Sequence, residues 1–440
     1  MNWIMIQIVL LAGLLPSIAQ ATERFDPQEQ HTVIVELLVP GGALPFECDL
    51  QQSPDGDLWH AAISNGDEVI GCRDVDVTHH TIGHDDVWDV RINLTHYDTE
   101  LQWTMVYSPE QRAYRGGGIL EKTRPSGRVD IPLSIRGPVQ PGPWQSRSSS
   151  PERFLPIESV EQWASKNDFS GRWRVQFSSS DDPAIGVFDV DDMGFVNGTF
   201  LTETGDYRFL AGRVDGTKMR MSCFDGAHAF LFHATMREDG TLRGDFWSGT
   251  WWHETWTAIR DDNISLPDAY ESTEWLGGTS MAELVFVDEG GQMESLADAL
   301  EQLGGSVRVV EVFGTWCPNC IDAAKDLKQL EDKYHDRGLR VLGLAFEHTE
   351  DVSRSTRVVR AYKERYGLGW PVLIAGLSNK AEASKAFPVL DRIRTYPTLI
   401  FLDENNELIA IHAGYTGPAT GEAYDEMIAG FENLIENNLD

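Results

Sequence analysis

Two of the five cysteines in this 440-residue chain stand one helical turn apart, Cys317 and Cys320 in the stretch GTWCPNC (314–320). Such a pair can exchange electrons with a disulfide, supply half of a metal site, or form a structural cross-link. Exchange needs a thiolate, and an ordinary thiol of pKa about 8.5 is only about 3% ionised at pH 7. A cysteine at a helix N-terminus is acidified by the free backbone N–H groups and the helix dipole. Its thiolate attacks a disulfide, and the second cysteine resolves the mixed disulfide. A metal site would need two more ligands in reach, but this segment has no second C-x-x-C and no His/Cys cluster. A peroxidatic cysteine would need Thr or Ser three residues upstream and Pro four before that, where Gly314 and Val310 stand. The residues favour dithiol exchange, with a purely structural bond as the remaining alternative.

The surrounding pattern supplies the elements that place the pair. The apolar run VRVVEVF (307–313) predicts a buried strand. Pro318 suits a first helical turn, where its missing N–H costs nothing. Cys320, Ala324, Leu327, Leu330 and Tyr334 then form a helical stripe that ends at Gly338. Further on come strand LRVLGLAF, a helix over 352–366, a short strand PVLI and a helix near 379–387. Strands PTLIFLD and ELIAIHAG follow, joined by ENN, then a last helix from about Gly421. Alternating β and α elements predict an α/β sheet with antiparallel edges. Glu311 sits inside the first apolar strand, six residues before Cys317. Buried there, its carboxyl would have a raised pKa and could take the Cys320 proton. The alternative is a Glu at the sheet's edge, exposed or salt-bridged.

The motifs VVEVFGTWCPNC, VLGLAFE, TYPTLIFLD and IAIHAGYTGPATG, in that order, resemble the thioredoxin superfamily, in particular its TlpA/ResA-like exported thiol-disulfide oxidoreductases. The resemblance covers roughly 276–440. It implies Cys317 as nucleophile and Cys320 as resolving thiol. It also implies that Pro397 is cis and faces the cysteines, and that the Tyr396 backbone pairs with an extended substrate. Glu311 matches the family's buried acid. Trp316 would shield the thiol and contact substrate, unless it simply packs. Some relatives carry a Glu three residues after the second cysteine. Here that residue is Ala323, which leaves Glu311 as the proton acceptor. Pro318-Asn319 is uncharged and sets no direction of electron flow. The family favours disulfide reduction, with oxidation or isomerisation by the same cysteines as the alternative. No cofactor is implied. The implied partners are disulfide- or thiol-containing exported proteins and an upstream envelope electron donor.

Upstream, two segments are strand-rich. The expected fold class is multidomain, a C-terminal α/β thioredoxin fold (276–440) preceded by two antiparallel all-β domains, at 23–140 and 168–262. Linkers rich in Pro, Ser or Asp separate them at 141–167 and 263–275. In the second, Asp-Gly pairs between alternating runs predict a hairpin meander, closed or nearly so, with its end strands paired. Because these segments are well over half of the mature chain, a rival reading is a β-domain binding protein with a scaffold thioredoxin module.

The N-terminus, MNWIMIQIVLLAGLLPSIAQA, reads as a secretory signal peptide over 1–21 with an A-x-A cleavage pattern, although it lacks a basic residue. A soluble exported (periplasmic) protein follows, tethered to a membrane only if that run is retained. The formal net charge of −33, from 36 basic and 69 acidic residues, argues against nucleic acid and anionic membrane surfaces as partners. No metal is expected. THHTIGH (His79, His80, His84) reads as a solvated loop. Cys48 and Cys72 are a candidate structural disulfide worth roughly 3.5 kcal/mol. Cys223 reads as a small core residue. Trp247, Trp251, Trp252 and Trp256 read as a β core or a domain interface, with a ligand cleft as the alternative.

Overall fold

The computed structural model describes residues 30–439 apart from 54–55, 57, 109–112, 125–126, 138–152, 158–160, 162–164 and 166–167. The apolar N-terminal run and most of the 141–167 linker lie outside the described residues.

Period-two alternation and tight turns build the first assembly, a nine-stranded antiparallel sheet. Its spatial order is Glu68–Cys72, Trp59–Asn65, Gly42–Gln52, Gln30–Val39, Gly127–Arg136, Ala113–Arg124, Thr99–Ser108, Asp85–Leu94, Val75–Ile82. The second assembly closes on itself. Eight strands run Gly171–Phe177, Ala184–Val190, Phe195–Thr202, Leu210–Asp215, Lys218–Phe224, Ala229–Met236, Leu242–Ser248 and Trp252–Arg260. Each pairs antiparallel with its neighbours. The ring is completed where Gly171–Phe177 meets Trp252–Arg260. A two-residue strand, Gly205–Asp206, folds back on Leu201 and Thr202. Eight strands leave an interior just wide enough for side chains. Here Phe177, Phe188, Phe200, Phe232, Phe246 and Trp256 fill it in stacked and edge contacts, for example Phe232 to Phe246 at 4.4 Å.

The sheet and barrel are fastened together. Phe46 stacks on Phe224 at 4.6 Å. The Asn65 amide brackets the Phe224 backbone, donating to its O at 2.8 Å and accepting from its N at 2.9 Å. Among the tryptophans, Trp256 is buried inside the barrel and Trp252 is exposed. Trp247 covers the Gly41 turn of the first sheet, and Trp251 lies under Arg124 at 4.3 Å. Trp256 is thus core, Trp247 and Trp251 are interface, and Trp252 is neither. A Cβ on Gly41 would overlap the Trp247 indole. Gly41→Ala is therefore expected to cost about 1–3 kcal/mol, read as a lower denaturant midpoint. An unchanged midpoint would show that this contact yields freely.

Two expectations need correction here. Cys48 and Cys72 are not bonded; both are free and buried. Cys48 faces Ile63 and Cys72 faces Ala61, so a whole strand (Trp59–Asn65) lies between them. Two strand spacings are about 9.5 Å, beyond the roughly 7 Å limit on Cα separation for a disulfide. Burial pushes the Cys72 thiol up to about 12, which keeps it inert. The histidines of THHTIGH are exposed, but only His84 lies in a turn. His79 and His80 lie on the strand Val75–Ile82, where His79 stacks on Trp88 at 4.0 Å. Cys223 is a buried thiol in the barrel core.

The C-terminal assembly is a seven-stranded mixed sheet. Its order is Met293–Ser295, Val285–Val287, Val372–Leu377, Leu339–Glu347, Val307–Phe313, Thr398–Asp403, Leu408–Ala413. The three central strands Val372–Leu377, Leu339–Glu347 and Val307–Phe313 are parallel, and the outer ones antiparallel. Helices Leu296–Leu303, Pro318–Tyr334, Val352–Tyr366, Lys380–Ala386 and Glu422–Asn438 pack with this sheet. Every residue of the stripe Cys320, Ala324, Leu327, Leu330, Tyr334 is buried. This is a thioredoxin-like arrangement, with Val307–Phe313 delivering the chain to the helix that begins at Pro318. Among the described residues, no helix is long and apolar enough to cross a membrane.

Candidate active site

Cys317 is the N-cap of helix Pro318–Tyr334, and its sulfur accepts from the Cys320 N–H at 3.2 Å. The two Sγ atoms are at disulfide distance, with Cα atoms 5.2 Å apart. Cys317 keeps 6% exposure and Cys320 none, so the first sulfur is the one an incoming group can meet. The Tyr396–Pro397 peptide is cis. The loop it shapes brings the Tyr396 carbonyl oxygen to 3.5 Å from Cys317 Sγ.

Glu311 occupies the middle of the central strand, between Gly343 and Leu399, with no exposed surface. Neither carboxylate oxygen has a hydrogen-bond partner among the described residues. Burial without compensation pushes its pKa up to about 8. Two residues on, and on the same face, Phe313 packs on Tyr362 at 5.5 Å, whose hydroxyl donates to the Cys320 carbonyl at 3.4 Å. The strand thus carries a buried acid and reaches the active-site helix through Phe313, Tyr362 and the Cys320 carbonyl.

A second buried acid, Glu347, received no role from the sequence. It ends the strand Leu339–Glu347 and accepts from Thr315 N at 3.0 Å and Thr315 Oγ1 at 2.9 Å. Burial raises its pKa to about 7, with the Thr315 hydrogen bonds opposing the shift. It fixes the approach to the cysteines by holding Thr315, next to Trp316. The available signal was the one that marked Glu311, an acid in an apolar strand (VLGLAFE). Trp316 is packed rather than free. Its Nε1 donates to Phe346 O at 2.9 Å, His348 stacks on it at 4.5 Å, and Tyr396 meets it edge-on at 5.5 Å.

The barrel also reaches this site. Arg208 pairs with Asp322 on the active-site helix and with Glu68 on the first sheet, and lies 3.9 Å from Asp225. It also donates to Asn319 Oδ1 at 3.5 Å. Burial works against its charge, but Asp322, Glu68, Asp206 and Asp225 outweigh it and hold the guanidinium pKa well above its ordinary value. Burial raises Asp206 to about 6. All three assemblies therefore meet at one cation within three residues of Cys320, an arrangement without any sequence signature. Among the described residues no group of His, Cys, Asp or Glu is placed to hold a metal ion.

A helix-capping cysteine pair, a buried acid on the preceding strand and a cis-proline loop beside the first sulfur resemble the site of thioredoxin-type thiol-disulfide oxidoreductases. Residues 281–411 match the AhpC/TSA family. The module is TlpA/ResA-like. The chain is 27% identical over 153 residues to thiol-disulfide oxidoreductase ResA of Halalkalibacterium halodurans, covering 34% of this chain and 73% of that one. It is 29% identical over 124 residues to thioredoxin-like protein YneN of Bacillus subtilis, covering 28% of this chain and 64% of YneN. A solved thiol:disulfide interchange protein of Chlorobium tepidum is 21% identical, with 35% of this chain and 91% of that chain covered and a TM-score of 0.26. The family match leaves out both upstream β assemblies.

Proposed function

We propose that this chain is an exported thiol-disulfide oxidoreductase that reduces protein disulfides through Cys317 and Cys320, with its two β assemblies as separate domains. One observation carries the reading. The N-capping sulfur of Cys317 faces the Tyr396 carbonyl beside cis-Pro397. The Cys317 thiolate attacks one sulfur of the substrate disulfide, and the other leaves as a thiolate that takes up a proton. Glu311, as its carboxylate, then accepts the Cys320 proton. The Cys320 thiolate attacks Cys317 Sγ and releases the second substrate thiol. The substrate gains two electrons and the chain ends as the disulfide, so a dithiol donor in the envelope must return them. Pro397 and the Tyr396 backbone hold the substrate chain. The assay is dithiol-dependent reduction of a disulfide protein such as insulin. Reduction at the blank rate would overturn the assignment. The same two thiols run in reverse would make an oxidase, and a measured reduction potential decides that direction.

Glu311→Gln separates the proton step from the fold. The Glu311 pKa is raised from 4.5 to about 8, so the protonated acid is the form the fold favours. Its contribution to stability is full below 4.5 and is lost as pH rises through about 8. Gln carries no such dependence, so the variant should gain melting temperature over the parent progressively across that window. Its release of trapped substrate should slow by about 100-fold. Unchanged release would remove Glu311 from the mechanism.

A further inference from the structure

The paired sulfurs are covered from two sides by the chain's own upstream assemblies. On one side the barrel's 203–206 turn lies along the loops that frame Cys317. Thr395 donates its hydroxyl to the Thr204 carbonyl at 2.6 Å, one residue from the Tyr396 backbone. Arg394 pairs with Glu203. Gly205 sits so close to Asn319, between the two cysteines, that a Cβ there would overlap the Asn319 side-chain nitrogen. Gly414 leaves only 2.6 Å between a would-be Cβ and the Glu203 carbonyl oxygen. The turn keeps its shape through the Thr202 hydroxyl, which donates to Gly205 O at 2.8 Å. On the other side, Thr95, His96 and Asp98 of the first sheet form a narrow cleft with Trp316, Glu347 and His348. Arg354 closes it by pairing with Asp98.

We propose that the 203–206 turn is a built-in cap on the substrate groove of Cys317. Closed, the site admits small disulfides, and a protein disulfide is taken only when the turn swings aside. The inference rests on the function proposed above for its substrate. Its physical basis is that the turn holds, with a main-chain carbonyl and a half-buried ion pair, the ground next to Tyr396 where an extended substrate chain would lie. The hold on the turn is small, one ion pair (Arg394–Glu203) and one hydrogen bond from Thr395 to the Thr204 carbonyl, and Gly205 offers no side chain. The base of the turn is firm, because Arg208 is buried among carboxylates on all three assemblies. Motion would therefore be local to the tip of the turn, 203–205, with Asp206 held in the Arg208 cluster, rather than a parting of the barrel. An apparent rate toward a large reactant is then the intrinsic rate multiplied by the fraction of time the turn is open.

The test uses the full chain as Cys320→Ser, reduced, so that Cys317 is the accessible thiol and the other three cysteines stay buried. Its alkylation by N-ethylmaleimide is compared with alkylation by a maleimide carrying a long polymer. Gly205→Arg forces the turn off Asn319, and Glu203→Ala removes its ion pair. Both lie at a turn outside the barrel core. Gly205→Arg should raise the polymer-to-small rate ratio by at least about tenfold, and Glu203→Ala by less, with N-ethylmaleimide alone changing no more than about twofold. A ratio unmoved in both variants would overturn the cap, and so would a fall, which would make the turn part of the docking surface. Parallel assays with both cysteines intact should show insulin reduction rising and reduction of a small disulfide unchanged. If no chain reduces any disulfide, the proposed function fails while the alkylation ratio still decides the cap.

Discussion

Arg208→Ala should lower the unfolding free energy by about 3–5 kcal/mol, the cost of removing one partner from a buried ion pair. Arg208 is 5% exposed and its carboxylate partners Glu68, Asp225 and Asp322 are buried or nearly so. Without the guanidinium, three or four acids face one another in a dry site, and each must be neutralised or hydrated. Backbone strain does not enter the difference. Arg208 sits at φ 61°, a left-handed conformation that an L-residue adopts at a cost of about 1–2 kcal/mol, and alanine inherits that cost. Backbone strain is therefore unchanged, and the loss reports the charge cluster. Removing the orphaned charges should restore part of it. Arg208→Ala combined with Asp322→Asn and Glu68→Gln should be more stable than Arg208→Ala alone. The measurement is a denaturant titration followed by fluorescence of the interface tryptophans. A loss under about 1 kcal/mol would mean that water already reaches the cluster and that it does not lock the three assemblies together.

Cys317→Ser should abolish disulfide reduction, by at least about 1,000-fold, because loss of a nucleophile removes the covalent path itself. Serine keeps the cap geometry, since its hydroxyl can still accept from the Cys320 N–H, so the fold should survive and the loss is chemical. Cys320→Ser separates the two sulfurs. It leaves the attack intact and the mixed disulfide unresolved, so a substrate adduct should accumulate through Cys317 and be visible by mass. Equal activity in Cys317→Ser, or an adduct carried on a different cysteine, would reject the assigned roles. The buried thiols Cys48, Cys72 and Cys223 are poor substitutes, since burial raises the pKa of each.

Much of the C-terminal module was readable along the chain because its signals are local. The period of 3.6 residues in Cys320, Ala324, Leu327, Leu330 and Tyr334 puts one stripe inward on any helix, and the helix runs Pro318–Tyr334. An acid within VRVVEVF is buried if the strand is central, where both faces are covered, and exposed if it lies at the sheet's edge; the strand is an inner one and Glu311 is fully buried. The short strands Val285–Val287 and Met293–Ser295 carry no sequence signal, because three residues are too few to show a period, and the helix Leu296–Leu303 is only about two turns long. The Cys48–Cys72 pairing failed for a related reason. Spacing along the chain says nothing of strand order, and here one strand of the same sheet intervenes.

Residue type and local order were enough to place the paired thiols at a strand–helix junction and an acid in the strand before them, and the resemblance implied the proline loop downstream. Tertiary structure alone assigned Glu347 to Thr315, gathered Glu68, Asp225 and Asp322 around Arg208, and set the 203–206 turn of the barrel over Asn319 and Thr395. The reason is physical. Capping, periodicity and turn chemistry act between residues a few positions apart, whereas a buried ion cluster joins residues more than a hundred positions apart. Charges scattered over three assemblies become one site only when packing removes the water between them.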